Sequence, residues 1–139
     1  MTWSGGAVDP DTTYLHLTGG HAETLPVDER FWPSVMSGEL RLDGWLVGSF
    51  AWQPGAEGHS EVHPGGDEVH LCQSGAMSAV LEHPDGEEIV DFDGGELFVI
   101  PAGVWHRLEA RRPSRVFTMT FGEGTEHRPS PGGPASTTR

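Results

Sequence analysis

Lysine is absent from this chain of 139 residues, and all eight basic positions are Arg. That excludes Schiff-base chemistry, pyridoxal catalysis and a phosphate-binding loop with its Lys. Cysteine occurs once, as Cys72, so no internal disulfide can form. No apolar run reaches membrane-spanning length, and Met1 to Gly6 shows neither a basic start nor an apolar stretch, so a cytoplasmic location is expected. Basic charge is scarce as well. The 21 acidic against 8 basic residues leave a net charge of -13, which repels a phosphate backbone and argues against nucleic acid or anionic membrane as partners.

Glycine and proline are plentiful, at 20 and 11 residues, a turn-rich balance that suits many short strands and excludes a helical bundle. The length corresponds to one domain, expected over residues 1–122. Residues 123–139 are rich in Gly, Pro and Ser, lack apolar side chains able to offset ordering entropy, and are expected to form a tail. Strands are predicted over 14–17, 39–42, 45–53, 59–63, 68–73, 76–82, 87–92, 97–100, 106–110 and 115–121. A short helical turn is predicted between Pro26 and Met36, ahead of Pro33, with Phe31 and Trp32 in the core. His83-Pro84-Asp85-Gly86 and Asp93-Gly94-Gly95 are read as turns of two successive hairpins. Arg107, Arg111, Arg112 and Arg115 form a basic strip, read as balancing an acidic body, with an anion site as the lesser alternative.

The chemistry gathers in two places. In Glu61-Val62-His63 the two polar residues lie two apart, so on a strand they project from one face. After the turn Pro64 to Asp67, Glu68 starts the next strand, and Pro101-Ala102-Gly103-Val104-Trp105 delivers His106 at the start of another. Two imidazoles and two carboxylates converging inside a barrel are donors for a divalent first-row metal, because burying such charge without a counter-ion is severely unfavourable.

The spacing of these residues resembles the two motifs of the cupin family. Gly55, Glu61, His63, Glu68 and Gly75 follow the first motif, with Glu61 where the family usually has histidine. Gly95, Pro101, Gly103 and His106 follow the second, whose closing asparagine is here Ala110. The resemblance implies an all-β fold, a small antiparallel jelly-roll barrel (double-stranded β-helix) with the metal inside. It also implies a ligand set of Glu61, His63, Glu68 and His106, and pairing of two copies as a homodimer. If Glu61 coordinates, two carboxylates offset a divalent charge and weaken its Lewis acidity. The harder donor set then leans toward Mn or Fe(II), with Ni, Co or Zn as further options. The alternative is a cupin without metal, in which Glu61 joins a hydrogen-bond network or faces solvent at the barrel mouth.

Other residues near the motifs are placed by strand parity. His70 shares the parity of Glu68 and is a candidate proton carrier or hydrogen-bond partner, or else a satisfied core histidine. His59 lines the pocket or faces solvent, and Cys72 is read as a small buried hydrophobe with no adjacent base. Trp105 is expected to pack outward, against another subunit. His16, His21, His83 and His127 are expected on the surface.

The leading expectation is a metal-dependent enzyme acting on a small oxygenated organic molecule, most simply by dioxygenase-type oxidation, with His70 or Glu61 moving protons and the arginines orienting an anionic group. A redox-neutral isomerase or lyase would use the same ligands. A non-catalytic ligand-binding barrel is the third class, and it alone needs no metal.

Overall fold

The computed structural model describes residues 5–55 and 58–131. Among them, nine strands and one short helix follow in the order β1 (Thr13–Thr18), β2 (His21–Pro26), α1 (Phe31–Ser37), β3 (Trp45–Trp52), β4 (His59–Val62), β5 (Glu68–His83), β6 (Gly86–Asp93), β7 (Leu97–Ile100), β8 (Trp105–Phe121) and β9 (Glu126–Pro129). Every pairing between these strands is antiparallel. The sheet runs β2-β1-β3-β8-β4-β9, while β5 lies along β8 and carries β6 and β7 on its other edge. It is an open jelly-roll, as the turn-rich composition suggests. No helix among the described residues is long and apolar enough to cross a membrane.

The two longest strands organise everything else. Each was expected as two strands, but 68–73 and 76–82 are one strand, β5, and 106–110 and 115–121 are one strand, β8. The pair is continuous because register shifts between Cys72 and Met77 bend the ladder without ending it. Gly75 makes the bend possible: its φ is +97°, and a Cβ there would fall 2.2 Å from Ser114 Oγ. Ser114 Oγ in turn accepts from the Ala76 amide at 2.9 Å, so the corner is hydrogen-bonded. The core draws on both sides of the bend and includes Cys72, Met77, Phe92, Ile100, Leu108 and Val116. Cys72 is fully buried there as an ordinary small apolar residue, and burial pushes its thiol pKa up.

Several local expectations are corrected. Residues 39–42 form no strand, because their backbone is used to finish α1: Gly38 takes a left-handed cap and the Leu40 amide donates to Ser34 O. The helix runs through Pro33 rather than stopping ahead of it, since a proline in the first turn forfeits no helical hydrogen bond. Phe31 is buried against Tyr14, whereas Trp32 is 41% exposed and is not core. Pro84-Asp85 is the two-residue loop of a hairpin, with His83 paired to Gly86. Asp93-Gly94-Gly95, however, turns between β6 and β7 without pairing them, for both strands bond to β5. His16 is buried, not superficial: its Nδ1 lies 2.9 Å from Glu23 Oε1 and its Nε2 accepts from the Gly44 amide at 3.0 Å.

The segment expected as a tail is a strand in part. β9 pairs with β4 over His59 to Val62, and only residues 132–139 lie outside the described residues. None of its residues carries a large apolar side chain. Instead Arg128 donates to Glu82 Oε1 at 3.0 Å and lies over the Trp105 ring at 4.0 Å, and Ser130 Oγ meets Ser60 Oγ at 2.8 Å.

Candidate metal centre

Strand parity brings the four predicted ligands together. Glu61 lies directly opposite His106 in the β4–β8 ladder, so their side chains share a face. His63 follows two residues after Glu61, and Glu68, first residue of β5, enters the same space from the facing side. One ligand atom from each of Glu61, His63, Glu68 and His106 falls within 4.8 Å of all the others. His63 Nε2 is 3.0 Å from Glu61 Oε1 and 3.1 Å from Glu68 Oε2, and His106 Nε2 is 3.1 Å from Glu68 Oε1. His63, Glu68 and His106 are buried, while the Glu61 side chain is 38% exposed. Access to the cluster is therefore from the Glu61 side.

Both imidazoles are oriented from behind. His106 Nδ1 donates to Val104 O at 2.9 Å, which leaves Nε2 to face the cluster. Glu68 Oε1 is near that nitrogen but off its hydrogen-bonding direction, so His106 Nε2 is buried without a partner. On the other side His63 Nδ1 meets Thr125 Oγ1 at 2.8 Å. An orphaned imidazole nitrogen aimed at two carboxylates is what a cation would satisfy, and the donor set fits a divalent ion.

The electrostatics agree. Burial opposes a charge on His63, yet its hydrogen bonds to Glu61 and Glu68 outweigh that and raise its pKa to about 10. Burial likewise opposes a charge on His106, and the adjoining Glu68 carboxylate outweighs it, raising that pKa too. For Glu68 burial works to raise the pKa, but His106, His63 and His70 hold the carboxyl well below its ordinary range. Imidazoles and carboxylates that favour each other's charged forms are a donor set from which a divalent ion would displace protons.

His70 is buried behind this cluster, with Nε2 at 2.8 Å from Glu68 Oε1 and Nδ1 at 2.9 Å from Thr118 Oγ1. His59 is exposed at the start of β4 and is not in the cluster. Three of the four arginines of the basic strip are paired elsewhere. Arg107, of opposite parity to His106, binds Glu82, Glu87 and Glu109; Arg111 pairs with Asp91 and Asp93, and Arg115 with Asp11. These arginines balance the acidic body and are not free to orient a substrate anion.

Residues of the supposed tail were missed. Thr125 touches His63, and His127, paired opposite Glu61 in the ladder, brings Nδ1 to 3.7 Å from Glu61 Oε2. Trp105 is half-buried, with the Arg128 guanidinium 4.0 Å from its ring centroid.

Residues 48–122, more than half of the chain, match the family model described as the cupin domain. The chain belongs to the cupin family. Among solved structures, this cupin is similar to a cupin-2 domain protein from Shewanella frigidimarina, at 16% identity and a TM-score of 0.45 over 66% of this chain and 76% of that one. A conserved Streptococcus pyogenes protein of unknown function is similar at 21% identity and a TM-score of 0.49, over 60% of this chain and 68% of the other. Bacillus subtilis oxalate decarboxylase, described with Mn(II) centres, is similar at 15% identity and a TM-score of 0.51, over 63% of this chain and 24% of its own. This cupin thus corresponds to about a quarter of the decarboxylase chain. No curated protein matches it.

Proposed function

We propose that this cupin is a metal-dependent enzyme acting on a small oxygenated organic molecule, by dioxygenase-type oxidation at a mononuclear centre held by Glu61, His63, Glu68 and His106. The observation behind it is the unpartnered His106 Nε2, buried and aimed at a pair of carboxylates. Two carboxylates among four donors favour Mn or Fe(II) over a hydrolytic zinc centre. When bound, such an ion supplies open coordination positions and redox chemistry.

The protein's own residues divide the remaining work. His70 has both ring nitrogens engaged behind Glu68, so it positions that carboxylate rather than meeting substrate. Glu61 stands at the accessible side and is the group placed to take or return a proton at its outer oxygen, Oε2. Behind His70 the Phe92 ring lies at 6.2 Å and stacks on Phe98 at 5.8 Å, so that side of the cluster is closed by apolar packing.

A redox-neutral lyase or isomerase reading has one specific support, the similarity of the fold to a decarboxylase with Mn(II) centres. Oxygen-uptake assays against anaerobic turnover, run on diketones, phenols, thiols and hydroxy acids with protein carrying a defined metal, separate the two. Oxygen consumption matched to product supports the first, and unchanged turnover without oxygen supports the second. Protein that rejects every divalent metal yet binds a small ligand would leave only the non-catalytic class. Cytoplasmic location and homodimerisation remain proposals, the latter tested by light scattering.

A further inference from the structure

The family match ends at residue 122, yet the chain continues past it along the metal-facing side of β4. The β4–β9 register places Glu61 opposite His127, and one step further His63 meets Thr125. The direction of the Thr125 contact is fixed by its second one. Its hydroxyl proton goes to Gly122 O at 2.8 Å, so Oγ1 can only accept from His63 Nδ1. With Nδ1 held as a donor, Nε2 is left to face Glu61 and Glu68, donating to them when protonated and offering its lone pair to an ion that takes the proton's place. Val104 O does the same for His106, but from within the matched span.

The strand that follows Thr125 is held by residues that are not in the cluster, two of them beside Glu61 and His106 but of opposite parity. Arg128 reaches back to the buried Glu82 carboxylate and stacks on Trp105, Ser130 meets Ser60, and the Ser130 amide donates to Gly58 O at 2.9 Å. Resting on the metal-centre reading above, we infer that β9 is a working part of that centre. Thr125 is a positioning residue that sets the His63 tautomer, and the Arg128–Glu82 contact keeps it in place. Metal affinity is thereby tied to the docking of a strand outside the family's matched span.

The test compares wild type, Thr125→Val, Thr125→Ser and Arg128→Gln by Mn(II) titration followed by paramagnetic resonance of the free ion. NMR of the His63 Nδ1–H proton in the metal-free proteins is run alongside. Loss of an outer-sphere partner weakens metal binding about 10- to 100-fold, so Thr125→Val is expected near the lower end of that range. Thr125→Ser is expected to restore both affinity and the exchange-protected Nδ1–H signal. Arg128→Gln is expected to weaken Mn(II) binding several-fold although it touches no ligand. Affinity within twofold of wild type in Thr125→Val, or a Nδ1–H signal that survives that change, overturns the inference. So does a Thr125→Ser protein that is well folded by thermal melt but no better than Thr125→Val. Wild-type protein that takes up none of Mn(II), Fe(II) and Ni(II) fails differently: it sinks the metal reading and this inference with it.

Discussion

Two buried carboxylates, Glu68 and Glu82, are treated in opposite ways. Glu82 accepts from Ser60, from Arg107 at 2.9 Å and from Arg128 at 3.0 Å, and burial is outweighed by these bonds so that its pKa is lowered. Its partners are guanidiniums that never lose their charge, so the cluster is complete as it stands. Glu68 is surrounded by His63, His70 and His106, groups whose charge is conditional, and one of them has a nitrogen without a partner. A finished ion pair holds strands together, while an unfinished one awaits a proton or a metal. Residue type decides which carboxylate is structural and which is chemical.

The largest effects should come from breaking the unfinished cluster. His106→Ala or His63→Ala is expected to lower Mn(II) affinity by at least about 100-fold, above the range for outer-sphere partners, read by metal content after gel filtration. Glu61→Ala should reduce it by about 10-fold, because a half-exposed ligand is more readily replaced by water. Unchanged metal content in His63→Ala would remove the site altogether.

Next comes the finished cluster. Glu82→Gln should cost about 2 kcal/mol by denaturant melt, below the roughly 3–5 kcal/mol for a broken buried pair because the Arg128 side chain is 41% exposed. Its direct metal ligands remain, so any loss of Mn(II) affinity should be smaller than in His106→Ala.

The two clusters should also separate by pH. His63 has a raised folded pKa, so its stabilising contribution in metal-free protein is full below the ordinary imidazole value of 6.5 and fades as pH rises toward about 10. Glu82 has a lowered one, so its contribution is present at neutral pH and is lost as acid protonates it. Metal-free protein should therefore melt at lower temperature on the alkaline side, and Mn(II) uptake near neutral pH should release protons, seen by calorimetry in buffers of different ionisation heat. The smallest change is expected from Arg111→Ala. This exposed pair with Asp93 should be worth under about 1 kcal/mol and leave metal binding untouched.

How much of this could be read beforehand varies by residue. Glu61 and His63 were legible because alternation along a strand has a period of two, a local property that needs no partner to be known. Glu68 and His106 were legible only through the motif spacing, since nothing local says that two strand starts 38 positions apart meet. Thr125 and His127 were not legible. Their segment carries no apolar alternation, and it becomes a strand only because Glu82, Trp105 and Ser60 wait on neighbouring strands to hold it. His16 was misread for the same reason, as its burial comes from the unpredicted β2 and the Gly44 turn closing over it.

By itself, then, the sequence determined the types of the four clustered side chains, the alternation that sets Glu61 and His63 on one side, the Pro84-Asp85 hairpin and the all-β class, all carried by short-range periodicity and by residue chemistry. Tertiary structure decided the rest. It merged four predicted strands into two bent ones at Gly75, used Arg107, Arg111 and Arg115 on outer carboxylates, and brought β9 against Glu61 and His63. Those outcomes depend on which sheet edges find each other once the chain has folded, and pairing between edges is set by long-range geometry that no local pattern encodes.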